Sequence, residues 1–197
     1  DRVVVLIGRT VGGTTQTETW EFDGMDWALS AVGGPAPQFS FEMVYDPNRA
    51  RTVVLAGSNA LPTTPCETWE WDGSAWSQSA VTGPPARIDH CMAYDPSSGK
   101  TLMYGGVDRN GVAFRDTWAW DGLSWNSVVT SGDAGDQAGA GMAFDSSQGY
   151  VLLSGISGSS SSFRLSARQA TTASLDQYGS SCGGSFGAPV LSAASRV

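Results

Sequence analysis

The stretch TWEWDGSAW, residues 68–76, places three tryptophans within nine residues around an Asp-Gly pair. Nearly the same string starts at Thr19 as TWEFDGMDW and at Thr117 as TWAWDGLSW, so the copies lie 49 residues apart. Its tryptophans alternate with a small or acidic residue, which is the period-2 pattern of a β-strand with two unlike faces. Asp-Gly is a strong hairpin signal, so Trp76 is predicted to begin the returning strand.

Two further strings keep this period and supply the other strands of each unit. Short apolar runs, rich in β-branched and aromatic residues, end at glycines that are 49 residues apart: Gly8, Gly57, Gly106 and Gly155. A third string ends at Asp46, Asp95 and Asp145, at offsets of 49 and 50 residues. We expect the next turn to absorb the extra residue, because Gly155 is back on register. Each unit therefore holds four short antiparallel strands and shows no helical periodicity.

Four strands in every 50 or so residues are typical of β-propeller blades. A single four-stranded sheet cannot bury both faces, so neighbouring blades must stack on it, and large indole rings would fill the gaps. We expect Trp69 and Trp71 to point to opposite faces of one blade and Trp76 to join them. The predicted structural residues are the four glycines above and all tryptophans of the chain: Trp20, Trp27, Trp69, Trp71, Trp76, Trp118, Trp120 and Trp125.

Together these residues resemble bacterial kelch repeats of the galactose oxidase central domain type. The resemblance rests on Arg87-x-x-His90, MAYD, LMYGG and DTWAWDG followed by Trp125, and it covers roughly residues 1–157. It departs from the family in two places. The di-glycine of the family is complete only at Gly105-Gly106, and the residue 49 positions after Trp118 is an alanine. We therefore expect the fourth unit to be degenerate.

The register divides the chain into five parts. They are an incomplete blade with strands two to four (1–37), two kelch-like blades (38–86 and 87–135), a degenerate blade (136–175) and a Gly/Ser-rich, cysteine-containing tail or start of a following domain (176–197). Because Arg2 aligns with Arg51, the chain starts inside a hairpin, and we expect a fragment or processed product that forms a partial or open propeller. The alternative is a closed four-bladed ring, in which Val190–Ala194 pairs with Arg2–Ile7.

Composition argues against two classes of binding partner, nucleic acids and membranes. The chain has 197 residues and a net charge of −8, and Lys100 is its one lysine. No basic patch is present, so a nucleic acid partner is not expected. The sequence contains no long apolar run, so membrane insertion of this segment is not expected. Its negative net charge disfavours binding to anionic membranes.

Three cysteines occur, and none has the spacing of a zinc site. Cys66 precedes a third strand and Cys91 lies on the first strand of the neighbouring blade, which makes them a candidate disulfide pair. Asp133, Asp136 and nearby carbonyls could together hold calcium, but their spacing fits no EF-hand, and a plain loop is favoured. The Ser/Thr/Gly-rich composition and the family resemblance place the chain outside the cell or at the cell surface.

The resemblance to galactose oxidase implies copper held by histidines and tyrosines, but His90 is the one histidine of the chain. It cannot complete a two-histidine copper site, and we expect it in a hydrogen-bonded slot near the central channel, whose wall would include Arg87 and Asp89. Repeated carboxylates beside the tryptophans are expected to be structural hydrogen-bond acceptors: Glu18, Glu67 and Asp116. No catalytic, cofactor-binding or metal-binding residue is therefore predicted, and no cofactor.

The sequence favours a non-catalytic, secreted or cell-surface propeller module that mediates protein–protein interaction or self-assembly. Its rigid blades would hold loops such as Ser58–Pro65 and Asp108–Phe114 in place for recognition. Two alternatives stay open: a carbohydrate-binding module with exposed aromatic residues, and the propeller part of a larger extracellular enzyme.

Overall fold

A computed structural model describes residues 2–36, 40–58, 60–61, 63–130, 134–136 and 138–155, and the backbone of 161–166, 172–179 and 195–196. These residues form β-strands joined by turns. Among them, no helix is long and apolar enough to cross a membrane. The Gly/Ser-rich stretch with Cys182 and the Val190–Ala194 segment lie outside the described residues.

The strands form four blades, each an antiparallel sheet of four strands. The first blade contains β1 (Val3–Val11), β2 (Thr14–Phe22) and β3 (Trp27–Val32), with β16 (Ser195–Arg196) beside β1. The second contains β4 (Phe41–Asp46), β5 (Arg51–Ala56), β6 (Glu67–Trp71) and β7 (Trp76–Gln78). The third contains β8 (Cys91–Asp95), β9 (Lys100–Tyr104), β10 (Thr117–Trp120) and β11 (Trp125–Thr130). The fourth contains β12 (Gly141–Asp145), β13 (Tyr150–Ser154), β14 (Ser161–Ser166) and β15 (Thr172–Gly179).

The Asp-Gly pair turns the chain as predicted. Asp72 Oδ1 accepts the backbone N–H groups of Ser74 and Ala75, each at 2.8 Å, and Gly73 takes a φ of 93°. The hydrogen bonds from Ser74 and Ala75 lower the pKa of the Asp72 carboxyl to about 2. β7 then begins at Trp76. The all-β propeller fold predicted from the sequence is confirmed.

The fourth blade keeps the extra residue instead of absorbing it. Met43 pairs with Val54 in the second blade, and Met142 pairs with Leu153 in the fourth, so both hairpins have the same length. Ser154 consequently occupies the position of Tyr104, and Gly155 falls one residue before the position of Gly106. The expectation that Gly155 returns to register is wrong, because pairing across the hairpin fixes the register of both strands together.

The four blades follow one another along an arc. The inner strands contact each other in the order β16, β4, β8 and β12. Ser195 and Arg196 pair antiparallel with Val4 and Val3, so the end of the chain supplies the inner strand of the first blade. At the outer side, β15 pairs parallel with β11 and joins the third and fourth blades into one eight-stranded sheet. No closed ring is detected among the described strands, which is consistent with a partial propeller.

The apolar core lies in the gaps between blades. Trp71 packs with Val4 and Leu6 of the first blade and Met43 of its own, and Trp69 packs against the same cluster. The expectation that Trp69 and Trp71 face opposite ways is therefore wrong, because residues two apart on a strand share a face. Equivalent clusters fill the gap between blades two and three and the gap between blades three and four.

Candidate interaction site at the first blade

The last indole of the repeated string is tied to the preceding blade by a hydrogen bond in the second and third blades. Trp76 Nε1 donates to Thr19 Oγ1 at 2.7 Å, and Trp125 Nε1 donates to Thr68 Oγ1 at 2.8 Å. In both bonds the donor and the acceptor are 57 residues apart in the sequence, so the same contact recurs in successive blade gaps. The repeat thus encodes a joint between blades as well as a strand within each blade.

A second set of hydrogen bonds between blades has carboxylates as acceptors. Trp71 Nε1 donates to Glu21 Oε1 at 3.1 Å, and Trp120 Nε1 donates to Glu70 Oε1 at 2.9 Å, in each case across a blade gap. Arg49 holds Glu70 in place through two hydrogen bonds of 2.6 and 3.1 Å. A buried carboxylate is stable when charged donors and N–H groups satisfy it, as they do here.

Each of the other repeated carboxylates accepts the indole N–H of the tryptophan two residues further along the chain, which is the acceptor role predicted for them. The three contacts are Trp20 Nε1 to Glu18 at 2.9 Å, Trp69 Nε1 to Glu67 at 3.1 Å and Trp118 Nε1 to Asp116 at 2.7 Å. These side chains fix indole orientation.

The first blade carries the same aromatic pair without the same cover. The Phe22 and Trp27 rings lie 5.2 Å apart, close to the 5.4 Å between Trp71 and Trp76. Trp27 is nevertheless 49% exposed, whereas Trp125, at the equivalent position of the third blade, is 7% exposed. Among the described residues, no blade lies against this side of the first blade.

We call this surface the leading face, and it consists of Val5, Ile7, Phe22, Trp27 and Leu29. Strand pairing sets these side chains on one side of the sheet. Phe22 lies opposite Trp27, and Trp20 lies between Val5 and Leu29 on the neighbouring strands. Ile7 is 43% exposed and Leu29 47% exposed. Exposed apolar side chains therefore lie side by side on this face of the first blade.

Arg87, just before the inner strand of the third blade, is paired with a carboxylate. Arg87, fully buried, makes two hydrogen bonds to the Asp116 carboxylate and lies 4.0 Å from the centre of the Phe114 ring. Burial pushes the pKa of Asp116 up, but the hydrogen bonds and charge of Arg87 outweigh it and hold the pKa below its ordinary value. Arg87 precedes β8 and does not line a channel, which corrects the expectation from the sequence.

Asp89 adopts a left-handed backbone conformation with a φ of 57°, which is uncommon outside glycine. Its side chain is exposed, and its backbone N–H donates to Ser40 Oγ of the preceding blade at 3.2 Å. Its carbonyl accepts the N–H of Gly139 at 2.9 Å. The turn at Asp89 therefore ties blades two, three and four together at their inner ends.

His90 is buried, but neither ring nitrogen has a hydrogen-bond partner among the described residues. Of the expected hydrogen-bonded slot, the structure shows the burial and a weak interaction with the Leu55 backbone. Burial, with a smaller effect of the Arg87 charge, lowers the pKa of His90 to about 4, so the imidazole is neutral at physiological pH. Burial also raises the pKa of Glu42, on β4, to about 7.

The candidate disulfide is absent, because Cys66 and Cys91 are both free thiols. Cys66 donates to the Pro85 carbonyl at 3.5 Å and Cys91 to the Tyr104 carbonyl at 3.6 Å. They pack in different clusters, on opposite sides of the third blade, so the sheet separates them. Burial raises the pKa of both thiols, which disfavours the reactive thiolate.

The described residues contain no group of three or more His, Cys, Asp or Glu side chains that could hold a metal ion. Of the two calcium candidates, Asp136 forms an ion pair with Arg115 at 2.7 Å. Asp133 lies outside the described residues.

The fold and the repeated joints define the class of protein: a β-propeller. Solved structures similar to this chain agree. The structure of YjhT matches with a TM-score of 0.61 and 11% identity, over 91% of this chain and 65% of that chain. A mutant of the Aleuria aurantia lectin AAL, in complex with Fucα1-6GlcNAc, matches with a TM-score of 0.52 and 14% identity, over 82% of this chain and 58% of that chain.

This chain thus spans less than two thirds of the length of either similar structure. At these identities the likeness concerns the fold alone. No protein-family model matches the sequence, and no curated protein matches it either.

Proposed function

We propose that this chain is a non-catalytic β-propeller module of the kelch type, secreted or held at the cell surface, that mediates protein–protein interaction or assembly. The observation that carries the proposal is the leading face. It presents an aromatic pair with the geometry of a blade joint, and Trp27 in that pair is 49% exposed. Half-exposed tryptophan beside aliphatic residues is the composition of interaction hot spots.

The polar groups favour binding over catalysis. Arg87 and Asp116 are paired to each other, and Glu21 and Glu70 accept indole N–H groups. Catalytic acids and nucleophiles need a free group that can reach a substrate. The free large surface of the first blade is apolar, and apolar surface suits a protein partner.

Two features support the kelch type and one supports the location. Gly105 and Gly106 both adopt positive φ, of 69° and 89°, and a Cβ on Gly106 would lie 2.6 Å from the Ile88 carbonyl. The Trp71–Trp76 and Trp120–Trp125 pairs recur across the turn at similar spacing. The low charge and Ser/Thr/Gly-rich composition favour an extracellular or cell-surface location.

The test uses a photo-crosslinking amino acid at position 29 of the protein in its native host, because Leu29 is exposed on the leading face. We expect covalent adducts to protein that Trp27→Lys removes. The matched control is Leu123→Lys, at an 80% exposed position in the equivalent hairpin region of the third blade, and it should leave the adducts unchanged. Absence of adducts, or adducts that survive Trp27→Lys, would refute the proposal.

Carbohydrate binding is the second candidate. A half-exposed indole next to Phe22 offers a stacking platform for a sugar ring, and one similar structure is a lectin solved with a fucosylated disaccharide. A glycan array separates the two candidates. Specific glycan binding that Trp27→Lys abolishes would place carbohydrate recognition first.

A further inference from the structure

We propose that the leading face binds the opposite end of a second copy of this chain, in a head-to-tail contact that reproduces the joint between blades. The inference rests on the proposed function and specifies its partner. Its evidence is the set of blade joints inside the chain, which show what covers this kind of face.

Inside the chain, the leading face of each later blade is covered by the preceding blade. Trp76 donates to Thr19 of the first blade, and Trp125 donates to Thr68 of the second, at 2.7 and 2.8 Å. Trp27 holds the same position in the first blade, and its Nε1 has no acceptor among the described residues. The surface that fits it is therefore the far side of another blade.

The fourth blade presents such a far side, which we call the trailing face and define by Ala143 and Leu152. The two residues lie opposite each other on neighbouring strands, as do Ala93 and Leu102 of the third blade. Leu102 is fully buried and Ala93 is 4% exposed, because the fourth blade covers them. Leu152 is only partly buried and Ala143 is exposed. The trailing face thus lacks the cover that its equivalent in the third blade has.

The described part of one chain covers neither face. Since the inner strands contact one another in the order β16, β4, β8 and β12, the leading face lies at one end of the arc and the trailing face at the other. Two unlike faces of one chain that match each other give a heterologous contact, which generates a closed ring or an open chain of subunits. A second copy supplies the matching surface, and the contact would be of the same kind as the joints between blades inside the chain.

The charge balance is compatible with this contact. Opposite charges lie together in register with both faces: Glu18, opposite Ile7, pairs with Arg9 at 3.3 Å. Leu152 lies opposite Arg164, which in turn lies opposite Asp176. Aromatic residues at the centre of a contact are also the residues that contribute most to association.

The test is sedimentation velocity of the purified chain up to about 100 μM, a range that detects weak interfaces. We expect a dimer or larger species. Trp27→Lys on the leading face and Ala143→Lys on the trailing face should each weaken association about 30-fold or more, as removal of a hot spot does. Leu123→Lys is the matched control and should sediment as the wild type does.

Complementation makes the test specific for a head-to-tail contact. The Trp27→Lys variant keeps an intact trailing face, and the Ala143→Lys variant keeps an intact leading face. An equimolar mixture should therefore form a 1:1 dimer, although each variant alone is monomeric. A mixture that stays monomeric would overturn the proposal, and so would a wild type that is monomeric at every concentration.

Circular dichroism checks that each variant is folded, and Leu29→Lys replaces Trp27→Lys if that variant is not. The outcomes also separate this inference from the proposed function. If the purified chain is monomeric while position 29 crosslinks to a different protein in the host, the second-copy partner is wrong and the interaction module stands. If neither association nor crosslinking occurs, both fail.

Discussion

Truncation of Trp71 to alanine should cost this chain more stability than any other single change in the repeated string. Trp71 is 2% exposed, packs on Val4 and Leu6 of the first blade, and lies 5.4 Å from the ring of Trp76. Its Nε1 donates to Glu21 at 3.1 Å. The substitution therefore removes apolar burial, a blade-to-blade contact and a charge-assisted hydrogen bond together.

Truncations of buried Phe and Trp cost roughly 3–5 kcal/mol. For a chain of this length each kcal/mol lowers the melting temperature by about 2–4 °C, so the expected drop is roughly 6–20 °C. Trp71→Phe keeps most of the packing and loses the N–H donor, which is worth about 1.5–3 kcal/mol when the acceptor is charged. The lower end applies, because Arg2 still pairs with Glu21 at 2.6 Å.

The assay is urea denaturation followed by tryptophan fluorescence at low protein concentration, with thermal melts alongside. Trp27→Ala is the matched control, because Trp27 occupies a repeat position but is 49% exposed, and we expect a loss of roughly 1–2 kcal/mol. Two results would refute the reasoning. The first is a Trp71→Ala melting temperature equal to that of the wild type, and the second is a loss for Trp27→Ala as large as for Trp71→Ala.

Three further changes follow from the packing and from the pKa shifts. Gly57→Ala should cost roughly 1–3 kcal/mol, since its Cβ would lie 2.6 Å from the Ser40 carbonyl, whereas Gly141→Ala, with open space around it, should be near neutral in the same urea titration. The pKa of Glu42 rises from 4.5 to about 7 in the folded chain, so its contribution to the free energy of unfolding falls by up to about 3 kcal/mol as pH rises across that window. The pKa of His90 falls from 6.5 to about 4, so its contribution falls instead as pH drops from 6.5 to 4, and the two contributions oppose each other in the wild type. In urea titrations at several pH values, Glu42→Gln should therefore make stability decrease more steeply toward acid pH and His90→Leu should make it decrease more steeply toward neutral pH; a variant with the slope of the wild type would contradict the burial of that group.

The strands and hairpins were predictable from sequence because they depend on neighbours along the chain. Alternation in TWEWDG, the Asp72-Gly73 turn and the start of β7 at Trp76 all appear in the structure as expected. The 49-residue period then fixed the number of strands in each unit, and with it the propeller class. Local pattern also indicated the acceptor role of Glu67, which receives the indole N–H two residues further along.

The candidate site could not be predicted, because exposure depends on what lies across a gap. Trp27 and Trp76 occupy the same place in the same local string, yet only Trp76 meets a preceding blade. The Arg87–Asp116 pair joins residues 29 apart in the sequence, and no local pattern links them. The free thiol of Cys66 likewise reflects the side of a sheet on which it packs.

The sequence alone thus determined the blade: its strands, its turns and the indole rings on its surface, all of which follow from interactions within about ten residues. Only the tertiary structure decided which blade faces are covered. Coverage is set by the order of blades around the arc and by pairing between distant segments, such as Ser195 with Val4. A repeat specifies both sides of a joint, but among the described strands the first blade has a neighbouring blade on one side alone. That order leaves its leading face uncovered by any described blade.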